Sequence, residues 1–186
     1  RRSGLSEIIK YAAIADVPLL AFLEAHLRAC VRGDARVDRV MVERCARIKA
    51  RIVSRDERDT RGVRTQLNFG HTLGHALEAA TDYRRFTHGE AIAIGMACAA
   101  QLSVACAGLP LDQATRLVAL LQRAGLPTTT RGVSLIAMKR ALLQDKKFIH
   151  GTMRWVLLKR LGQVQVTEAV PSSLMWRVIR TVVKNG

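Results

Sequence analysis

The densest chemistry in the sequence lies in Leu67-Asn68-Phe69-Gly70-His71-Thr72-Leu73-Gly74-His75-Ala76-Leu77-Glu78. His71 and His75 are four residues apart, so on a helix they share one face. Spacing alone makes both candidate metal ligands, as in other HxxxH helices. The other reading is a polar pair near a helix start, and the two neighbouring glycines weigh against it. His88-Gly89-Glu90 falls where another helix should begin. A histidine there can point into a cleft, and the glycine permits close backbone approach, but the turn also suits a capping role. Glu7, in Ser6-Glu7-Ile8-Ile9-Lys10, adds a carboxylate; its spacing to Lys10 also fits a surface i,i+3 ion pair. Two histidines and one carboxylate are the ligands of a catalytic zinc site that keeps its fourth position open. Lys10, Lys49, Arg64 and the run Asp145-Lys146-Lys147 bring base to the same constellation. Such a run is usually surface charge, but beside a metal and Arg64 it suits a substrate carrying both phosphate and carboxylate.

Most of the chain reads as helix. Apolar residues recur at helical spacing over Leu5 to Ala15, and Asp16-Val17-Pro18 interrupts them. Pro18 then starts a second helix to about Val31, and Gly33-Asp34 separates it from a third over Ala35 to Val53. Ser54 to Gly62 reads as a charged loop. Further helices are predicted over Phe69 to Ala80, Gly89 to Ala107 and Asp112 to Ala124. Another follows Ser134 as N-cap to Leu143, and the last runs from a Ser172 or Ser173 cap to Val183. Met153 to Lys159 and Val164 to Thr167 read as strands around Arg160-Leu161-Gly162, a small β-hairpin within residues 152–168. No alternating β/α region appears, so the chain holds no mononucleotide-binding half of its own. These features predict one mainly α domain over residues 1–186.

Composition narrows the function classes. The 186 residues carry 30 Lys+Arg against 15 Asp+Glu, a net charge of +15, with 49% hydrophobic residues, which is a globular balance. Nucleic acid is the default partner for so basic a chain. Against it, the base is scattered and only 4% of residues are aromatic, too few for stacking platforms. A small polyanionic substrate is the other reading. Cys30, Cys45, Cys98 and Cys106 form no CxxC pair, which predicts reduced thiols in a cytoplasmic compartment. No apolar h-region follows Arg1-Arg2-Ser3-Gly4, so no secretory signal is expected. Ala91 to Leu109 approaches membrane-spanning length, but it is rich in Ala and contains Gln101 and Ser103. A buried central helix is the expectation, with no membrane partner.

The ordered set Gly4-Leu5-Ser6-Glu7-Ile8-Ile9-Lys10, Lys49, Asp56-Glu57-Arg58-Asp59, Arg64, Leu67 to His75, His88-Gly89-Glu90-Ala91, Gly95-Met96, Asp145-Lys146-Lys147 and Gly162 resembles the C-terminal domain of 3-dehydroquinate synthases, in the sugar-phosphate cyclase superfamily. The resemblance implies a multi-helix C-terminal domain with a small β-hairpin, and a Rossmann-like N-terminal NAD-binding domain that is absent from these residues. It implies NAD and one divalent metal, zinc or cobalt. The activity it implies converts 3-deoxy-D-arabino-heptulosonate 7-phosphate into 3-dehydroquinate and phosphate, in a cytoplasmic homodimer.

The resemblance makes Glu7, His71 and His88 the metal ligands and His75 a proton-transfer residue near the phosphate, against the HxxxH spacing. Lys10, Lys49, Arg64, Leu67, Asn68 and one of Lys146 or Lys147 would hold the substrate. The family often ends the Asp-Glu-Arg run with Glu as proton acceptor; here Asp59 stands there, and Arg61 is an extra residue before Arg64. Asp59 or Glu57 takes that role. Three alternatives remain. One is a sister cyclase making a 2-deoxy-scyllo-inosose or 2-epi-5-epi-valiolone type of product. Another is a metal-dependent alcohol or glycerol dehydrogenase, and the third is a non-catalytic basic binding module.

Overall fold

The computed structural model describes residues 1–58, 60–144, 148–149 and 152–184. Its helices are α1 (Arg2–Ala15), α2 (Val17–Arg32), α3 (Ala35–Ser54), α4 (His71–Ala80), α5 (His88–Cys106), α6 (Leu111–Arg123), α7 (Leu135–Gln144) and α8 (Ser172–Val182). A 3-10 turn, Val63–Asn68, leads into α4. The strands are β1 (Thr130–Arg131), β2 (Phe148–Ile149), β3 (Thr152–Met153), β4 (Trp155–Arg160), β5 (Gln163–Thr167) and β6 (Val183–Lys184). They form three two-stranded sheets: antiparallel β4–β5 and β2–β3, and parallel β1–β6. The mainly α expectation and the hairpin are met. The β4–β5 register pairs Trp155 with Thr167 and Leu158 with Val164.

Local chemistry accounts for the helix boundaries. Asp16 caps α2 by accepting the Leu19 N–H at 2.9 Å, and its carboxylate also takes Arg44 of α3 at 2.6 and 2.9 Å. One residue thus ends α1, starts α2 and holds α3. Asp34 accepts the Arg36 and Val37 N–H groups at the start of α3. The predicted Ser172 cap is corrected: Pro171 occupies the N-cap position, and Ser172 is the first helical residue. The two-residue β1–β6 pairing and the 3-10 turn carry too few residues for a periodic signal, so no sequence pattern anticipated them.

Helix α5 is the axis of the molecule, in contact with α1, α4, α6, α8 and β4. It is long and apolar enough to cross a membrane by length and composition, yet it is mostly buried inside the fold. One hydrophobic cluster gathers α1, α2, α3 and α6 on one side of it, and another gathers α4, α7, α8 and β4 on the other. The two polar residues within its apolar stretch are both satisfied. Buried Ser103 donates to Ala99 O at 2.6 Å and accepts the β4 Leu158 N–H at 2.9 Å, while Gln101 accepts the Thr181 hydroxyl of α8 at 2.8 Å.

Helices α4 and α5 meet backbone to backbone. A Cβ built on Gly95 would overlap the Gly70 carbonyl oxygen and come within 3.0 Å of Gly74 N. A Cβ on Gly74 would meet Ala91 O at 3.2 Å. Gly70 opposite Gly95 and Gly74 opposite Ala91 make the pair antiparallel, so the next turn sets Glu78 beside His88. The four cysteines are free. Burial pushes the Cys98 thiol up to about 12 and Cys45 up to about 11, so neither is a nucleophile near neutral pH.

Gly95→Ala is expected to force the two helices apart and destabilise the chain by on the order of 3 kcal/mol or more. Gly108→Ala, where a Cβ has open space and only the left-handed φ is strained, should cost about 1–2 kcal/mol. Denaturant unfolding of the two variants checks this; equal losses would contradict the close-packing account.

Candidate metal centre

Three helix starts supply the centre. Glu7 lies in the second turn of α1, His71 is the first residue of α4 and His88 the first of α5. The α5 turn does what its sequence allowed in both senses. Glu90 caps it by accepting the Thr87 N–H and hydroxyl, each at 2.9 Å, which leaves His88 to point away into the centre. Gly89 is required by its neighbour: a Cβ there would overlap the Ser3 backbone. The Gly89 N–H instead donates to Ser3 Oγ at 2.8 Å, fixing the start of α1 against the start of α5.

The Glu7 carboxylate is divided between two environments. Oε2 accepts from Lys10 Nζ at 2.7 Å, so the i,i+3 pair exists, but Lys10 is only 3% exposed and the pair belongs to the interior. Oε1 is buried and has no hydrogen-bond partner among the described residues. His71 Nε2 and His88 Nε2 each stand 3.7 Å from that oxygen, beyond hydrogen-bond reach.

The other ring nitrogens show why. His71 Nδ1 is 3.2 Å from the Phe69 carbonyl, and His88 Nδ1 is 3.1 Å from Glu78 Oε1. Both partners are acceptors, so each Nδ1 carries a proton, which in a neutral imidazole leaves the Nε2 lone pair turned towards Glu7. Two nitrogen lone pairs and an orphaned carboxylate oxygen then face one another, with ligand atoms all within 4.8 Å. A divalent cation is what satisfies such a donor set, and its mix of nitrogen and oxygen fits zinc or cobalt. Glu7, His71 and His88 therefore fit the group the sequence pointed to.

His75 lies one helical turn on from His71, with ring centroids 5.2 Å from His71 and 6.0 Å from His88. It is absent from the Glu7 set but forms a second possible set with Glu78 and His88. The shared helix face was thus legible from spacing, while the separation of His75 from Glu7, His71 and His88 came only with the family resemblance. Sequence reasoning also left Glu78 without a role. Its signal was position, three residues after His75 and seven after His71, on the same face of one helix.

Arg64, Leu67 and Asn68 all ride on the 3-10 turn that continues through Phe69 and Gly70 into His71. Lys49 is an exposed residue of α3, the helix packed against that turn. Neither Lys49 nor Arg64 forms an ion pair with another described residue. Asp59, Lys146 and Lys147 lie outside the described residues.

The loop before the turn has an organiser that the sequence reading passed over. The Asp56 carboxylate is 4% exposed and accepts the backbone N–H groups of Thr60 (2.9 Å), Arg61 (3.1 Å) and Val63 (2.9 Å). Burial alone would push this carboxyl up. The backbone donors, with the Arg61 charge, outweigh it and hold Asp56 below the ordinary aspartate value.

A family profile described as 3-dehydroquinate synthase C-terminal matches residues 4–148. The 3-dehydroquinate synthase of Dichelobacter nodosus is 44% identical over 178 residues, 95% of this chain and 48% of that protein. That of a Synechococcus species is 40% identical over 184 residues, 97% of this chain and 50% of that protein. The chain spans about half the length of the curated relatives it matches. Among solved structures, ValA, a 2-epi-5-epi-valiolone synthase from Streptomyces hygroscopicus with NAD+ and Zn2+ bound, superposes with a TM-score of 0.84 at 23% identity, over 97% of this chain and 50% of that one. A 2-deoxy-scyllo-inosose synthase complexed with carbaglucose-6-phosphate, NAD+ and Co2+ gives 0.75 at 21% identity, over 97% and 52%. These two likenesses establish the fold.

Because the Asp56 pKa is depressed in the fold, its contribution is present above the unfolded value of about 4 and is lost as pH falls through the folded value. Asp56→Asn, with one acceptor oxygen fewer, should lower the hydrogen-exchange protection factors of the Thr60, Arg61 and Val63 amides. The unmodified chain should approach the same loss on acidification. Protection unchanged in the variant would show that the loop is held by something else.

Proposed function

The chain belongs to the family of 3-dehydroquinate synthase C-terminal domains, and from that premise we propose that it is the metal- and substrate-binding part of a 3-dehydroquinate synthase. The reaction is the conversion of 3-deoxy-D-arabino-heptulosonate 7-phosphate to 3-dehydroquinate and phosphate, in a cytoplasmic, homodimeric enzyme whose NAD-binding part is not among these 186 residues. The observation that carries this reading is the buried Glu7 Oε1, unpartnered among the described residues and facing two imidazole nitrogens. The names of the relatives at 40–44% identity support this substrate over those of the sister cyclases. The dehydrogenase and basic-module alternatives have no such support.

When bound, a divalent ion supplies Lewis acidity towards the substrate hydroxyls, and NAD supplies reversible hydride acceptance. The remaining tasks fall to side chains. Glu7, His71 and His88 hold the ion, and Lys10 fixes Glu7 Oε2 so that Oε1 keeps its aim. Lys10, Lys49, Arg64, Leu67, Asn68 and one of Lys146 or Lys147 bind the carboxylate, hydroxyls and phosphate. Arg64 and Lys49 suit this because they bring charge that no described acid already neutralises. His75, beside the ligand set, moves the proton near the phosphate, and Asp59 or Glu57 accepts another. Oxidation of a ring alcohol acidifies the neighbouring C–H. Phosphate can then leave with that proton within its own reach, so this part of the chain chiefly positions groups and offsets charge. The chain by itself is expected to bind metal without turnover.

Metal titration of the purified chain tests the reading. One ion per chain is expected. Glu7→Ala, His71→Ala and His88→Ala should each weaken binding by more than the roughly 10–100-fold that an outer partner contributes. His75→Ala should retain it. Loss of metal in His75→Ala together with retention in Glu7→Ala would overturn the assignment.

A further inference from the structure

Two histidines present Nε2 to Glu7, but they are held differently. His71 is buried, and its Nδ1 is held by a backbone carbonyl two residues away. The His88 side chain is 45% exposed and sits on the first residue of a helix, so the backbone does little to orient it. Nothing in a neutral histidine by itself selects the Nδ1–H tautomer that an Nε2 ligand requires, and an exposed ring is free to turn about χ2. What meets His88 Nδ1 is Glu78 Oε1 at 3.1 Å. Glu78 is an unusual residue for its place: an acid only 8% exposed, in α4 among Leu73, Leu77 and Ala76 of the apolar cluster. Burying a carboxylate is costly unless it is paired, so its presence there asks for a reason.

We infer that Glu78 is a positioning residue for the metal centre: it holds His88 as the Nδ1–H tautomer and aims Nε2 at Glu7 Oε1. The inference rests on the metal reading of Glu7, His71 and His88. A carboxylate behind a ligating imidazole fixes ring and tautomer and raises the basicity of the ligating nitrogen. The α4–α5 contact makes the arrangement possible, since the antiparallel register delivers Glu78 to His88 one turn beyond Gly74 and Ala91.

The competing role for Glu78 is as a ligand, because His75, Glu78 and His88 could hold an ion themselves. Where that second set uses His88 Nδ1, the two roles exclude each other. A neutral imidazole has one lone-pair nitrogen, so His88 cannot give its Nδ1 proton to Glu78 and an Nδ1 lone pair to an ion. With Nε2 committed to the Glu7 set, Nδ1 is the donor.

The test uses the 186-residue chain with 15N-labelled histidine and Co2+ as the probe. In the metal-free chain, ring-nitrogen shifts should show His88 as the Nδ1–H tautomer, and Glu78→Gln should mix its tautomers while leaving His71 unchanged. Glu78→Gln should weaken Co2+ binding by about 10–100-fold and alter the visible cobalt absorption, with stoichiometry still one ion per chain. Glu78→Asp, which keeps the charge but is too short to reach, should behave like Glu78→Gln and carries the test if the amide variant unfolds. Unchanged tautomer and affinity in folded variants would overturn the inference. So would two bound ions in the unmodified chain, the second lost in Glu78→Gln, since Glu78 would then be a ligand. If Glu7→Ala bound cobalt as tightly as the unmodified chain, the metal reading would fail instead, and the metal-free tautomers would still decide whether Glu78 holds His88.

Discussion

The contact of the α4 and α5 backbones at Gly70, Gly74 and Gly95 is the constraint from which the centre follows. No side chain fits between the helices there, so their register is set by which residues lack a Cβ. That register places His88 over Glu78, and with it the whole His71, His75, Glu78 face of α4 against the start of α5. A second close approach, Ser3 against Gly89, brings α1 to the same point and carries Glu7 with it. Three helices from separate parts of the chain thereby deliver one atom each to a space a few ångströms across. The apolar length of α5 has a use in this arrangement. It is the rod on which α1 and α4 are aligned, packed on both sides by the two hydrophobic clusters.

Electrostatics then gives the space its character. The three residues that face it each have a stabilising partner on the far side: Lys10 behind Glu7, Phe69 O behind His71, Glu78 behind His88. Those partners take up the donors and leave acceptors facing inwards. An interior that points acceptors at acceptors is unfavourable by itself, and a cation relieves it. The excess of base elsewhere on the chain fits the anionic substrate proposed above, and Arg64 is carried on the short turn that leads towards His71.

Much of this was legible in the residues. Helical spacing located the eight helices of the described residues to within a few residues, and the β-like runs on either side of Arg160-Leu161-Gly162 located the β4–β5 hairpin. The proposed trio Glu7, His71 and His88 and the surrounding base were picked out by a long ordered motif rather than by spacing, because spacing knows only one helix at a time. It could pair His71 with His75, which share α4, and could not pair either with Glu7 across the fold. For the same reason Glu7 and Lys10 read as a surface pair; periodicity gives contact along a helix but not whether that face is covered. Asp56 and Glu78 stood in the motifs without a role because their partners are a loop backbone and a distant ring. Short elements such as β1–β6 are made by tertiary contact and have no local pattern to read.

The central claim is that one divalent ion sits among Glu7, His71 and His88. Anomalous diffraction from a crystal of the cobalt-loaded chain, recorded on both sides of the cobalt edge, tests it most directly. A single peak enclosed by Glu7 Oε1, His71 Nε2 and His88 Nε2 is the result this account predicts. A peak held instead by His75 and Glu78, or none within ligand distance of Glu7, would contradict it.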